Sequence, residues 1–449
     1  MRAKLIYFWS NLQSSFWFVP LLLIVCALLA AFGLVFLDDA VDIKPTGVFG
    51  YFMIGSADSA RSVLSTVAGA MIGVAGTVFS ITLVALTLAS SQFGPRLLQN
   101  FMHDKLNQVV LGSYIATFTY CLVVLSTVKS SDSVQFLPTI SVGFAIILAL
   151  VNIFLLVIFI HHISINIQAD QVVSNVNSGL NRNFKRLFPK EEDKEEVHEI
   201  TESEIEQLKE KALFKKVFKI DRSGYLQVVN RQRLIGLAQE IEGFIELQSH
   251  AGHFLVEGQE VFVVYGDKEL EEGFEGRLLG AMLIGSKRNS TQDSEFAVRQ
   301  MVEVASRALS PGVNDPYTAI TCIDKLTDSI CYLTSVNLPG PYRFDEEKKL
   351  RLILNTMSFD GVVSVAFNQI RQFGQSSPAV LIRLMDAMVT IYTLSQRPEH
   401  KKVILKHAKM IRQAGKEHFG ERNDFQDLEE RYQKLVKDAE SVKSADKVS

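Results

Sequence analysis

The sequence predicts an α-helical integral membrane protein with four transmembrane helices and a C-terminal α+β, mainly helical, cytoplasmic module. Two observations carry this fold class. Four long apolar runs fill the first third of the chain, and the rest has the charge density of ordinary globular sequence. The hydrophobic fraction of 48% and the net charge of −3 fit such a mixed chain. A chain so close to neutral has no electrostatic footprint for nucleic acid.

The four apolar runs cover residues 16–37, 63–90, 107–128 and 136–162. Each is long enough to cross a hydrocarbon core, which takes about 20 residues of helix. None contains Asp, Glu, Lys or Arg, whose insertion at the bilayer centre costs about 2.5–3.5 kcal/mol each. The lipid bilayer is therefore the first predicted partner, and residues 1–164 form the predicted transmembrane domain.

Basic residues near the helix ends predict the orientation, because cytoplasmic loops carry an excess of Lys and Arg. One side has Arg2, Lys4, Arg96, Lys105, Arg182, Lys185 and Arg186. The other side has Lys44, Arg61 and Lys129, together with Asp38, Asp39, Asp42, Asp58 and Asp132. This bias predicts that both termini are cytoplasmic.

Small and hydroxyl-bearing residues recur at helical spacing in the second run. The stripe consists of Thr66, Gly69, Gly73, Thr77, Ser80, Thr87 and Ser91. The favoured interpretation is a helix-packing face, because small residues let two membrane helices approach closely. The alternative is the lining of a pore, which no ring of charged residues within this helix would select by charge. Both interpretations predict a homo-oligomer.

The rest of the chain divides into four predicted segments. Residues 165–219 form a helical stalk and a charged linker, in which apolar residues keep helical spacing as far as Pro189. Residues 220–268 form a small β-α-β-β unit, because short β-branched or aromatic runs alternate with glycines. Residues 269–440 form a helical cytoplasmic region that includes a helix across 350–373, and 441–449 are a flexible tail.

A break in the helical region carries the one candidate ligand site. The helix through Leu309 ends at Ser310-Pro311-Gly312, and the next begins at Asp315-Pro316, where Asp suits the N-cap and Pro the first helical position. The favoured interpretation is a capped helix break. The alternative is a site for a small anionic ligand, formed by Arg299, Arg307, Asn314, Asp315 and Thr318.

Two stretches of the chain resemble a widespread bacterial family of predicted membrane proteins, catalogued as domain of unknown function twenty-two fifty-four. They are SSQFGPRLLQNFMHDKLNQVVLGSYIATFTYCLVVL and, far downstream, QDSEFAVRQMVEVASRALSPGVNDPYTAITCIDKL. The resemblance implies four membrane helices, a cytoplasmic region and a place in the bacterial inner membrane. It brings no established activity and therefore no catalytic residue.

The motifs of common enzymes are missing from the sequence. It has no phosphate-binding loop, no dinucleotide fingerprint, no HExxH and no GxSxG elbow. His250 and His253 stand alone as potential metal ligands, and a zinc site needs three or four. We therefore expect no enzyme, no cofactor and no metal. The leading hypothesis is a channel-like or transport-related protein regulated by its module, and the alternative is a membrane-anchored sensor or scaffold.

Overall fold

The computed structural model describes residues 17–40, 56–94, 104–131, 134–190 and 200–445. It forms two compact units, Met1–Gln171 and Val172–Ser449, which we call the membrane unit and the C-terminal module. Several residues used to predict topology, among them Arg2, Lys4, Lys44 and Arg96, lie outside the described residues, as do residues 191–199 of the charged linker and the end of the predicted tail.

Four long helices build the membrane unit. They are α1 (Phe18–Ala40), α2 (Ala57–Phe93), α3 (Lys105–Thr127) and α4 (Thr139–Asn166), with a short hairpin of β1 (Lys129–Ser131) and β2 (Val134–Phe136) between α3 and α4. Each helix is long and apolar enough to cross a membrane. The four predicted helices are thereby confirmed as candidate membrane spans, with ends that differ by several residues.

Helix α3 is the centre of this unit. It packs against each of the other three helices, and it is the most buried of the four. Gly112 lies at its contact with α1, where an added Cβ would lie 2.8 Å from the Cα of Pro20 and 2.9 Å from Cδ1 of Leu23. A residue without a side chain is therefore what lets α1 and α3 touch at this level.

Hydrogen bonds between α3 and α4 satisfy a fully buried amide at Asn152. Its Oδ1 accepts from the Ser113 hydroxyl at 2.7 Å, and its Nδ2 donates to Oγ1 of Thr117 at 2.8 Å. The hydroxyl of Tyr114 donates to the Asn152 carbonyl at 2.6 Å. A buried polar group in an apolar surrounding is costly unless it is paired, so these contacts explain how Asn152 is accommodated.

Asp38 joins the end of α1 to the start of α4. Its carboxylate accepts hydrogen bonds from the backbone N–H groups of Ile140 (2.8 Å) and Ser141 (2.9 Å), and from the Ser141 hydroxyl (2.6 Å). The first N–H groups of a helix have no partner within it. Pro138, the N-cap residue of α4, makes no side-chain capping bond. Asp38 therefore caps α4 from another helix.

The C-terminal module combines ten helices and eight strands in its described part. The helices are α5 (Ala169–Leu187), whose first turn lies before the boundary of the unit, α6 (Glu202–Lys211), α7 (Arg231–Glu240), α8 (Phe274–Leu279), α9 (Glu295–Ala308), α10 (Pro316–Thr334), α11 (Phe359–Phe373), α12 (Pro378–Leu394), α13 (Pro398–His418) and α14 (Arg422–Ala445). The strands are β3 (Phe214–Lys219), β4 (Gly224–Val229), β5 (Phe244–Leu247), β6 (Phe254–Leu255), β7 (Glu260–Gly266), β8 (Met282–Gly285), β9 (Tyr342–Phe344) and β10 (Leu350–Leu354).

The strands form two sheets around one apolar core. The larger sheet has the order β3-β7-β5-β10-β9, and the smaller has the order β6-β4-β8. Within the larger sheet β5 and β10 are parallel, with Ile245 opposite Leu352 and Leu247 opposite Leu354. Helix α7 packs against both of these strands. The core includes Leu226, Leu234, Ile245, Phe262 and Leu352.

Three strands, β8, β9 and β10, correct the prediction of a helical region across residues 269–440. The predicted helix across 350–373 is wrong in its first part, because residues 350–354 form β10 and the helix α11 begins at Phe359. The run Leu350–Leu354 is buried on both faces, as a central strand is. The four strands within residues 220–268 are divided between the two sheets, and β10 pairs with β5 in the larger one, so these residues do not form one sheet of their own.

The predicted stalk is part of the module. Helix α4 ends at Asn166 and α5 begins at Ala169, so one continuous helix is replaced by two. The apolar face of α5 is buried, including Val172, Val176, Leu180 and Phe184. Its polar residues bond to the module, since the Asn181 Oδ1 accepts from Ser329 Oγ at 2.7 Å. The helical spacing predicted the helix, but not that this face packs within the module.

Candidate functional site

The small-residue stripe of α2 is uncovered along the whole helix. Thr66, Gly69, Gly73, Thr77, Ser80, Thr87 and Ser91 are all exposed. The opposite face is buried, with Leu64, Met71, Val78 and Phe93 among its members. An added Cβ at Gly69 or Gly73 would meet nothing within 4 Å. Among the described residues, the stripe therefore takes no part in packing.

Hydroxyl groups of the stripe donate back to the helix. Thr77 Oγ1 lies 3.2 Å from the Gly73 carbonyl, Ser80 Oγ 2.9 Å from the Gly76 carbonyl, and Thr87 Oγ1 2.9 Å from the Leu83 carbonyl. Each donor is thus satisfied, while the hydroxyl oxygen keeps lone pairs that can accept. The helix has 37 residues and at 1.5 Å per residue is about 55 Å long. The helix is therefore longer than the hydrocarbon core of a bilayer, which is about 30 Å thick.

A second polar group of the membrane unit lies where α3 begins and α4 ends. The Asp104 carboxylate caps the Leu106 N–H at 2.9 Å and accepts from Nδ2 of Asn166 at 3.2 Å. Nε2 of His162 lies 3.4 Å from the same carboxylate. Beside it, Asn107 is buried and its Oδ1 has no hydrogen-bond partner among the residues that the structure describes. The sequence analysis did not predict this cluster. The pattern that indicates it is an N-cap Asp before one apolar run, together with a His and an Asn at the end of another.

At the break before α10, the structure brings Asp315 and Thr318 together. The Asp315 carboxylate accepts from the Thr318 N–H at 3.1 Å and from the Thr318 hydroxyl, so the predicted N-cap is confirmed. Asn314 adopts a left-handed conformation with φ +50°, and the Asp315 N–H bonds to the Ala308 carbonyl at 2.7 Å. These contacts build a tight turn between α9 and α10.

The two candidate arginines lie along α9, each beside a glutamate one turn earlier. The Arg299 guanidinium donates to Glu295 at 2.8 Å, and Arg307 lies 3.9 Å from Glu303. Eight residues of helix separate their Cα atoms by about 12 Å along the axis. Since each has a carboxylate partner within its own helix, the contacts do not join the two arginines into one cluster.

Two further histidine clusters have geometries that bear on catalysis. The ring centroids of His250 and His253 are 3.6 Å apart, and within the described ranges no three His, Cys, Asp or Glu residues are grouped to hold a metal ion. Nε2 of the buried His407 lies 3.4 Å from the Ser364 hydroxyl and 3.7 Å from the Asp360 carboxylate. A catalytic triad places serine and acid on opposite ring nitrogens, and this cluster places both on one.

Comparison with known proteins identifies the family. The model of the family described as predicted membrane protein (DUF2254) matches residues 13–390. This chain belongs to that family. It is also similar to uncharacterised proteins of Mycobacterium bovis and Mycobacterium tuberculosis, each 31% identical over 375 residues, which cover 82% of this chain and 71% of the relative. No solved structure matches it significantly. The family assignment predicted from the two sequence stretches is confirmed, and the chain is a membrane protein with several apolar helices.

Proposed function

We propose that this protein is a channel-like, homo-oligomeric protein of the bacterial inner membrane, regulated by its C-terminal module. The observation that carries the proposal is the exposed stripe of α2, whose small and hydroxyl-bearing residues pack against none of the residues that the structure describes. A face directed to lipid gains nothing from hydroxyl groups, whereas a water-contacting face does. Several copies that place this stripe toward a common axis would enclose a weakly polar path.

The chemistry of the stripe suits passage of hydrated or weakly solvated species. Hydroxyls that donate to their own helix turn oxygen lone pairs outward, so the path would offer acceptors. The stripe has no Asp, Glu, Lys or Arg. Selection by size or hydration, or by charges at the mouth, therefore fits better than selection by a charged ring.

The proposed orientation places both termini and the module in the cytoplasm. It rests on the excess of Lys and Arg on that side of the apolar runs. Cysteine-accessibility labelling in cells tests it, with a cysteine introduced in place of Lys185. We expect this thiol to react with a membrane-impermeant reagent only after the membrane is permeabilised. If this thiol reacted in intact spheroplasts, the module would lie on the opposite side of the membrane from the one proposed.

A flux assay on the purified full chain in liposomes tests the channel. We expect flux of small ions that the Gly73→Ile variant abolishes, because a bulky side chain then stands on the exposed stripe. The matched control is Gly33→Ile on α1, since an added Cβ there also meets nothing within 4 Å but lies outside the stripe. A Gly73→Ile variant that still shows the flux of the wild type would contradict a path lined by α2. So would a Gly33→Ile variant that loses the flux as well.

The alternative is a membrane-anchored sensor or scaffold without transport. The open glycines favour it as a second candidate, because Gly69 and Gly73 stand four residues apart and fit a close helix pair between two copies equally well. This hypothesis expects no flux under voltage, tension or varied salt. It also expects Gly73→Ile to convert the purified oligomer to monomers. Neither hypothesis invokes an enzymatic activity.

A further inference from the structure

A cavity of about 250 Å³ opens in the C-terminal module at the ends of two parallel strands. The chain leaves β5 through Ser249 and His250 and leaves β10 through Asn355 and Thr356, and all four residues line the cavity. Neighbouring parallel strands bring their carboxyl ends to one edge of a sheet, the usual place for a ligand in sheets that contain them. Position in the fold is the first reason to consider this cavity a binding site.

The charged residues that line the cavity are cationic. They are Arg186 and Arg231, and none of the described lining residues is Asp or Glu. The carboxylate of Asp293, between two lining residues, is buried against Arg288 at 2.6 Å instead. The cavity therefore carries positive charge that no acidic side chain in its lining offsets.

Neutral acceptors hold the Arg186 guanidinium in place. Its Nη2 donates to Oδ1 of Asn183 at 2.7 Å and to the carbonyls of Ser290 and Thr291 at 2.8 and 2.9 Å. These contacts fix the group without neutralising it, and a fixed guanidinium suits recognition of carboxylate or phosphate. Arg231 is the first residue of α7, so the positive end of that helix adds to the same potential.

The remaining walls combine fixed polar groups with apolar side chains. Gln292 is held by two hydrogen bonds to the backbone of Val229, at 2.9 and 3.2 Å. The apolar side is formed by Leu187, Phe188, Leu247, Pro339, Leu354 and Met357. Ligand cavities are mostly apolar with a few placed polar groups, and this volume lies just below the range of about 300–1,000 Å³ for drug-sized ligands. The combination fits a small molecule that is charged at one end and apolar at the other.

We propose that this cavity binds a small organic anion, with a phosphate or carboxylate at Arg186 and Arg231 and an apolar or aromatic part against Phe188 and Leu354. None of the residues of the break at Ser310–Thr318 lines this cavity. It does not rest on the proposed channel, because a scaffold or sensor would use it equally.

Calorimetric titration of the detergent-purified full chain tests this inference with three probes. Phenyl phosphate has both required parts, inorganic phosphate lacks the ring, and phenol lacks the charge. We expect saturable binding of phenyl phosphate in the millimolar range or below, with weaker binding of the other two. Added salt should weaken the binding of phenyl phosphate, because a charge interaction near the surface is screened. Equal heats for all three probes, or no saturable binding of phenyl phosphate, would overturn the proposal.

The decisive variant is Arg231→Gln, because Arg231 is exposed and its loss should leave the fold intact. We expect it to weaken the binding of phenyl phosphate about tenfold, the effect of losing one charge-assisted hydrogen bond. The matched control is Arg222→Gln, an exposed arginine paired with its neighbour Asp221 at 3.9 Å and outside the cavity lining. Equal binding by the two variants, with unchanged melting temperatures, would assign the anion to another site.

Discussion

The close approach of α1 and α3 at Gly112 gives a prediction whose magnitude follows from two distances. An added Cβ would lie 2.8 Å from the Cα of Pro20 and 2.9 Å from Cδ1 of Leu23. Carbon atoms in contact prefer about 3.5–4.0 Å, so Gly112→Val must separate the helices or distort both. Such overpacking costs about 1–3 kcal/mol. At roughly 2–4 °C per kcal/mol for a unit of this size, we expect the melting temperature to fall by about 2–12 °C.

A buried thiol provides the assay. Cys121 is fully buried in α3, so in a variant that keeps this cysteine alone, a fluorogenic thiol reagent reacts as the membrane unit unfolds. The control is Gly33→Val on α1, where an added Cβ meets nothing within 4 Å and we expect no shift. The packing argument is refuted if Gly112→Val melts like the parent, or if Gly33→Val is destabilised as much.

Three further predictions concern capping and protonation. Asp38→Ala should destabilise the membrane unit by about 1–2 kcal/mol in the same thiol assay, because α4 loses its capping carboxylate. Asp315→Ala should cost about 1 kcal/mol in urea unfolding of the full chain, and Asp315→Asn only a few tenths, since Asn caps nearly as well; equal losses would exclude capping as the role of this side chain. Burial lowers the pKa of His407 in the folded state, so the unfolded chain binds the proton more readily. Stability should therefore fall as the pH drops below about 6.5, and His407→Gln should flatten that dependence in urea titrations at several pH values.

The helices of the membrane unit were predictable because length and the absence of charge leave few alternatives. The run at 136–162 predicts a helix that the structure places at Thr139–Asn166. Its cap was not predictable, because Asp38 is 102 residues away from Ile140 in the sequence. Gly112 likewise looks like any glycine in an apolar run, and its role depends on where Pro20 lies in space. Local patterns determine these helices, whereas their contacts are a property of the assembled unit.

The strand β10 shows where periodicity stops being informative. Four of its five residues, LRLIL, are buried, and a short apolar run that is covered on both sides is equally consistent with the start of a helix. The candidate sites also differ in whether one local segment or several distant segments form them. Spacing predicted the stripe of α2, because one helix carries all of it. The cavity at β5 and β10 could not be predicted, because its walls come from segments separated by more than a hundred residues.

The central position of α3 has a consequence for the order in which the membrane unit assembles. Helices α1 and α2 both pack chiefly on α3, which the ribosome delivers after them. The two earlier helices must therefore wait in the bilayer for a partner that is still being synthesised. Once α3 arrives, Gly112 allows α1 to close against it, and the later emergence of α4 lets Asp38 cap that helix. A nascent chain that stops before residue 105 therefore holds two helices without their common partner.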